Sequence, residues 1–225
     1  MLVTISDLLP YILGIAIVPV QLIIMLLFLK NPQSGLLKGF LFLAGITIIR
    51  LLQGIIFGLI LNFGLSADGA NGKGPIVSTL LLVLGILLLI TAYKKIKKEP
   101  DPDDDPPKWM SAIESATNTK AFVFGLQLPL ISPKLWVFIL SAIATISAAE
   151  LGQPISFYTF IVFVLLAQSL LVFLVLIRLL LPKHSSSLIN AASSWLADNN
   201  RIIVIVISLI FGIYFLYQGF SSLFL

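Results

Sequence analysis

Long apolar segments separated by short polar ones dominate the pattern of this sequence. Six of these segments are long enough to cross a bilayer as helices, since a span needs about 20 residues at a rise of 1.5 Å per residue. They cover residues 8–29, 36–61, 76–95, 121–147, 154–181 and 202–223. The pattern therefore predicts an all-α integral membrane protein with six transmembrane helices.

Turn-forming residues mark several of the connections. Asn31 to Gly35 indicates a tight link, and four glycines between residues 64 and 74 indicate a flexible loop. Pro75 and Pro154 stand where helices can begin, because a first helical residue needs no N–H group. The fifth connection comprises residues 182–201, between the last two predicted spans.

The third connection is the longest polar stretch. Four lysines at 94, 95, 97 and 98 precede Glu99 to Pro107, where four prolines and five acidic residues preclude a helix. The following Lys108–Lys120 could form a short amphipathic helix. We interpret this stretch as a solvated linker, with a docking site for a partner protein as the alternative.

Lysine and arginine residues lie mainly on one side of the predicted membrane. The first, third and fifth connections, with their helix ends, contain Lys30, Lys38, Lys94, Lys95, Lys97, Lys98, Lys108, Lys120, Arg178, Lys183 and Arg201. The opposite side contains only Lys73. The positive-inside rule therefore predicts a cytoplasmic linker and both termini outside.

The chain divides into two halves with matching features. Residues 1–95 form a first predicted three-helix repeat, 96–120 a charged Pro/Asp-rich cytoplasmic loop, and 121–225 a second repeat. Because three is odd, the two repeats are inverted in the membrane. Pro19 interrupts the first span as Pro129 and Pro133 interrupt the fourth, and matched interruptions indicate a binding site at the membrane midplane.

Charge narrows the chemistry of that site. Only 11% of residues are charged, against roughly 25% in soluble domains. Arg50 and Lys134 lie deep within predicted spans with no carboxylate at the same depth, which is costly unless an anion, carbonyls or water solvate them. The absence of cysteine and the single histidine exclude thiolate and histidine-rich metal sites.

We therefore predict an anion-selective site at the helix interruptions. Arg50 and Lys134 anchor the charge, and Gln21 and Gln127 supply directional hydrogen bonds, although a structural interhelical network is the alternative for each glutamine. The predicted site residues are Pro19, Gln21, Arg50, Gln53, Gln127, Pro129, Ser132, Pro133 and Lys134. No metal, catalytic residue or cofactor is expected, so the protein is not expected to be an enzyme.

Two small-residue pairs in the second span predict close helix contacts. They are Gly35 with Gly39 and Gly54 with Gly58, each separated by three residues. We expect each pair to pack against a neighbouring helix.

The triplet Ser132-Pro133-Lys134 and the sequence Lys30-Asn31-Pro32 at the end of a broken helix resemble the lysine-exporter (LysE) superfamily of six-span transporters. That superfamily often has Asn-Pro-Lys in its second repeat. Within it, the chain looks most like the GAP branch, the sulfolipid-addressing (Sap-like) proteins implicated in moving glycopeptidolipids or sulfolipids to bacterial cell surfaces. Ser132 replaces the usual Asn, and Pro-Gly-Pro is absent around Pro19, which argues against an amino-acid substrate. The resemblance implies export.

We therefore expect a multi-pass exporter in the inner (plasma) membrane that moves an anionic lipid, glycolipid or other anionic solute. The alternatives are an exporter of small solutes such as amino acids, and a non-transporting adaptor for a lipid-export machine. The expected partners are membrane lipids, an anionic substrate, and either a second copy in a homodimer or larger lipid-export machinery. Nucleic acid is not expected as a partner.

Overall fold

The computed structural model describes residues 2–64, 75–97 and 108–224, and every regular element within these ranges is an α-helix. In chain order they are α1 (Leu2–Ala16), α2 (Pro19–Lys30), α3 (Gly35–Gly64), α4 (Pro75–Lys97), α5 (Lys108–Glu114), α6 (Asn118–Ile131), α7 (Pro133–Ala148), α8 (Ile155–Ala167), α9 (Ser169–Leu180) and α10 (Pro182–Phe224). The predicted loop at 65–74 and the acidic stretch Glu99–Pro107 lie outside the described residues.

Membrane-length apolar helices account for most of the described chain. Three unbroken stretches are long and apolar enough to cross a bilayer: Gly35–Leu59, Ser78–Lys97 and Ser187–Leu223. Three further pairs of consecutive helices qualify only when taken together. The pairs α1–α2, α6–α7 and α8–α9 are bent by 56°, 73° and 57°. The described chain thus has three such helices, or up to six spans if each bent pair crosses as one.

The buried apolar side chains form two separate clusters. One cluster surrounds α7 and includes residues of α1, α4, α8 and the distal part of α3. The other surrounds α2 and includes residues of α5, α9 and the first part of α10. Long helices such as α3 contribute to both clusters, because Phe42 and Ile46 lie in the α2 cluster and Phe57 lies in the α7 cluster.

The second helices of the two proline-broken pairs occupy the centres of these clusters. Seven consecutive residues of α2, from Ile23 to Leu29, are buried. Six consecutive residues of α7, from Ser141 to Ile146, are buried as well. A helix buried around its whole circumference is a core helix, whereas a surface helix buries one stripe. Each of the two helices is therefore the central helix of one apolar cluster.

Glycines set the closest helix crossings. A Cβ atom on Gly45 of α3 would lie 2.6 Å from the carbonyl oxygen of Phe122 on α6, and a Cβ on Gly125 would meet the carbonyl of Phe42. Helices α4 and α10 cross in the same way, because a Cβ on Gly85 would lie 2.9 Å from the carbonyl oxygen of Gly212. Small residues allow the backbones to approach, which is how helices gain packing energy in lipid.

The fifth connection is helical, which corrects the sequence interpretation. The residues between the last two predicted spans belong to α10, which runs for 43 residues from Pro182 to Phe224. Proline is suited to the first turn, and Ile189 and Leu196 are buried in the α2 cluster, so packing stabilises this part of α10 as helix.

Two helix starts were predicted at prolines, and one of them is displaced. Helix α4 begins at Pro75 as predicted. Pro154 instead occupies the N-cap position, and α8 begins one residue later at Ile155. The predicted amphipathic piece at 108–120 contains the short helix α5, Lys108–Glu114, followed by the start of α6 at Asn118.

Replacing Gly125 by alanine tests the α3–α6 crossing. We expect Gly125→Ala to lower the free energy of unfolding by about 1–3 kcal/mol, because the added methyl overlaps backbone of α3 that cannot move aside cheaply. The matched control is Gly58→Ala, whose Cβ meets no atom within 4 Å. The measurement is thermal unfolding of the detergent-purified variants by circular dichroism, and equal melting temperatures would contradict the proposed crossing.

Candidate functional site

The break between α1 and α2 follows from one proline. Pro19 has no N–H group, and its ring disfavours helical geometry in the residue before it. Val18 accordingly adopts extended backbone angles, φ −65° and ψ 109°. Its carbonyl oxygen accepts from the N–H groups of Gln21 at 3.1 Å and Leu22 at 3.4 Å, which starts the new helix.

The break between α6 and α7 repeats this geometry. Ser132 precedes Pro133 and is also extended, with φ −101° and ψ 101°. Its carbonyl oxygen accepts from the N–H groups three and four residues ahead, those of Leu135 at 3.0 Å and Trp136 at 3.3 Å. Only Pro133 ends a helix here, because Pro129 lies inside α6, which continues to Ile131.

A cavity of about 390 Å³ joins the two breaks, and we call it the break cavity. Pro19 and Val20 line it from the first break, and Ser132, Pro133 and Lys134 line it from the second. Apolar side chains of α4 and α10 complete the wall. The two helix breaks are therefore distant in sequence, but their residues line the same cavity.

The break cavity is lined by one cationic side chain and, within the described residues, by no carboxylate. Lys134 provides the ammonium group, and Lys95 of α4 lies close enough to repel Lys134 electrostatically. Helices α2 and α7 begin at the cavity while α1 and α6 end at it, so the partial positive charges of two helix N-termini are accompanied by the partial negative charges of two C-termini. The ammonium group, with no carboxylate in the wall, favours an anion.

A second polar group is buried between α2 and α3. Arg50 is only 1% exposed, and its Nη2 donates a hydrogen bond to Gln21 Oε1 at 3.1 Å. Within the described chain, Arg50 Nη1 and Gln21 Nε2 have no hydrogen-bond partner. Gln53 is buried as well, and neither polar atom of its side chain is hydrogen-bonded there. Buried polar atoms of this kind are costly unless something polar reaches them.

Carboxylates do not neutralise this interior within the described residues. The acidic residues described are Asp7, Glu114, Glu150 and Asp198, and all four are exposed. The buried guanidinium therefore depends on neutral oxygen acceptors, of which Gln21 is the one observed.

The third break was missed by the sequence analysis. Helices α8 and α9 meet at Gln168, which has no adjacent proline. Gln168 Oε1 accepts from the hydroxyl of Thr47 on α3 at 3.0 Å, and its Nε2 donates to the carbonyl of Val164 at 3.3 Å. Polar side chains can thus replace lost helical hydrogen bonds without proline. The available signal was the polar pair Gln168-Ser169 in the middle of an apolar span.

The predicted site residues fall into three groups. Pro19, Ser132, Pro133 and Lys134 line the break cavity. Gln21, Arg50 and Gln53 are buried outside its lining. Gln127 is exposed and Pro129 is buried inside α6, and neither lines the cavity. Sequence reasoning did not select Ser208 of α10, which is 4% exposed and lines the cavity, although it is an isolated hydroxyl within an apolar span.

Apolar helices of membrane length, broken around a cationic polar interior, define a helical membrane protein with a buried polar site. A model of the Sap, sulfolipid-1-addressing protein family matches residues 8–221, and the chain belongs to that family. No curated protein and no solved structure shows significant similarity to it. The family and the apolar helices together fit a lipid-related role in a membrane.

Replacing Gln21 by leucine tests the buried hydrogen bond. We expect Gln21→Leu to lower the free energy of unfolding by roughly 1.5–3 kcal/mol, the usual contribution of a hydrogen bond to a charged group. Because the loss arises from an unpaired guanidinium, adding Arg50→Leu should recover part of it. The measurement is a double-mutant cycle from denaturant unfolding, and strictly additive effects would contradict the pairing.

Proposed function

We propose that this protein is an exporter that moves an anionic lipid, glycolipid or other anionic solute across the inner membrane. In this proposal the anionic group binds in the break cavity, and Lys134 is its charge anchor. The observation that carries the proposal is the meeting of two helix N-termini and Lys134 at one cavity. Half-helix N-termini directed at an anionic group are a recurring feature of transporter sites.

Arg50 has a different place in this proposal from Lys134. It lies outside the lining of the break cavity, but its partner Gln21 is in the first turn of α2, which begins there. A small movement of α2 caused by binding in the cavity would therefore also move Gln21, the hydrogen-bond partner of the Arg50 guanidinium. We propose that Arg50 and Gln53 hold the polar layer through which the substrate's anionic group passes.

We also propose that each bent pair crosses the membrane as one span. This gives six spans in two inverted three-helix repeats, with both termini outside and the acidic linker in the cytoplasm. The matched breaks at Val18 and Ser132 and the equivalent central positions of α2 and α7 support the repeat. Membership of the wider lysine-exporter superfamily belongs to the same proposal.

Exchanging Lys134 for glutamine tests the charge anchor. In proteoliposomes we expect Lys134→Gln to slow the movement of fluorescently labelled phosphatidylglycerol by about tenfold or more, since a hydrogen bond to a charged group is lost. Lys134→Arg should retain most of the rate. The measurement is the loss of fluorescence when dithionite reduces label in one leaflet.

The matched control is Lys120→Gln, which removes an exposed lysine from α6 outside the cavity. It should leave the rate unchanged. An unchanged rate in folded Lys134→Gln would eliminate the anion anchor. Faster movement of soluble anions than of lipid through the unaltered protein would favour the small-solute exporter, and no movement of either would favour the adaptor.

Single cysteines test the topology, because the chain has none of its own. Gln33→Cys lies in the turn after α2 and Gln153→Cys in the turn before α8, and both positions are exposed. We expect a membrane-impermeant maleimide to label position 153 in intact cells and position 33 only after the membrane is opened. Labelling of both positions from the same side would refute the inverted arrangement.

A further inference from the structure

A second cavity lies on the flank of the bundle, away from the break cavity. Its volume is about 540 Å³, and we call it the lateral cavity. Its wall comes from the distal half of α3, the end of α7, the turn at 149–154 and the start of α8. None of its lining residues lines the break cavity.

The lateral cavity has one apolar end and one polar end. Leu51, Gly54, Ile143 and Phe160 line the apolar end. The polar residues Ser147, Glu150, Gln153 and Ser156 all lie at or beside the turn between α7 and α8. Along α3 the lining extends from Leu51 to Leu59, about 12 Å at the rise of a helix. This gradient of polarity matches an amphiphile, with its polar group at the turn.

Glycine keeps this space open. A Cβ atom on Gly58 or on Gly152 would meet no atom within 4 Å, and both residues line the lateral cavity. Gly54, one helical turn before Gly58, instead packs against the ring of Phe160. The predicted helix contact of Gly54 is therefore present, and that of Gly58 is absent.

Near the other end of α3, the space beside a glycine is filled by neighbouring side chains. A Cβ atom on Gly39 would lie 2.9 Å from Leu29 Cδ2, 3.3 Å from Met25 Sδ and 3.5 Å from Val175 Cγ2. Side chains of α2 and α9 thus fill the region beside Gly39. The corresponding region beside Gly58, between α7 and α8, is left open.

We propose that the lateral cavity binds the hydrocarbon chain of a membrane lipid. Its wall comes from α3, which has membrane length, and from α7 and α8, which each belong to a bent pair that is long and apolar enough to cross a bilayer, so hydrocarbon is the expected medium next to it. Surrounding lipid is as apolar as the wall, so preference for the cavity comes from close van der Waals contact with a concave surface. The polar group lies at the turn, and the chain end reaches Leu51, adjacent to the buried Arg50.

This site deepens the proposed function and rests on it only for the step of transport. A substrate with a hydrocarbon chain is a lipid and not a small solute. Leu51 and Arg50 lie at the same height on α3, but consecutive residues of a helix do not share a face, so the lateral cavity and the polar layer are separate sites. Binding itself can be measured on purified protein without any transport.

Photolabelling tests the site. The probe is phosphatidylethanolamine with a diazirine at the end of one acyl chain, reconstituted with the full-length protein in nanodiscs. We expect labelled peptides to include residues 51–55 and 160–161, in excess over the exposed α10 surface around Ile210 and Ile213. In Gly58→Phe, whose ring fills the cavity, this labelling should fall by about tenfold, the effect of losing roughly ten atomic contacts.

The matched control is Ile56→Phe, which adds a ring to an exposed position of the same helix outside the cavity. Its labelling should equal that of the unaltered protein. If Gly58→Phe does not fold, Ser156→Phe fills the cavity from the α8 side. Unchanged labelling in a folded, filled variant would overturn the proposal, as would labelling no stronger than that of α10. The Lys134→Gln experiment measures lipid movement, whereas the photolabelling experiment measures lipid binding. Failure of the proposed transport and failure of this site therefore give different results.

Discussion

Two missing N–H groups, those of Pro19 and Pro133, determine the interior of this protein. Each forces the residue before it into extended geometry, and each lets a new helix begin inside a membrane-length segment. The new helices, α2 and α7, each contain a run of consecutive buried residues and become the centres of the two apolar clusters. The break cavity and the division of the core follow from these two positions.

Buried polar groups lie at or beside two of the three helix breaks. Arg50 bonds to α2 just beyond the first break, and the Thr47–Gln168 hydrogen bond fastens α3 to the third. In lipid such groups have no water to satisfy them, so each must find a partner within the protein or a ligand. Within the described residues Arg50 is partly satisfied and neither polar atom of Gln53 is satisfied, so both side chains keep hydrogen-bonding capacity that a ligand can use.

Sequence alone predicted those features that have a local covalent cause. Proline positions revealed two of the three breaks, and apolar length revealed three helices and three bent pairs that are long and apolar enough to cross a bilayer. The break at Gln168 escaped because side-chain hydrogen bonds, which depend on Thr47 from a distant segment, replace the missing helical ones. Gln127 was predicted as a site residue because of its position in the middle of a span. It is exposed, because the side of α6 that faces inward depends on where the neighbouring helices pack. Gly54 and Gly58 look identical in sequence and differ because α8 begins at Ile155, so Phe160 reaches only the first of them.

The unbroken length of α10 has a mechanical consequence. At 43 residues it extends for roughly 65 Å, about twice the thickness of a bilayer's hydrocarbon core. Its spanning part crosses α4 at Gly85 and Gly212, while Arg201 donates hydrogen bonds to the carbonyls of Lys95 and Ile96 at the end of α4. The two helices are thus joined at separate points along their length and resist sliding. If this pair tilts as one body, the first part of α10, which extends beyond the end of α4, moves by a larger distance than the joined part.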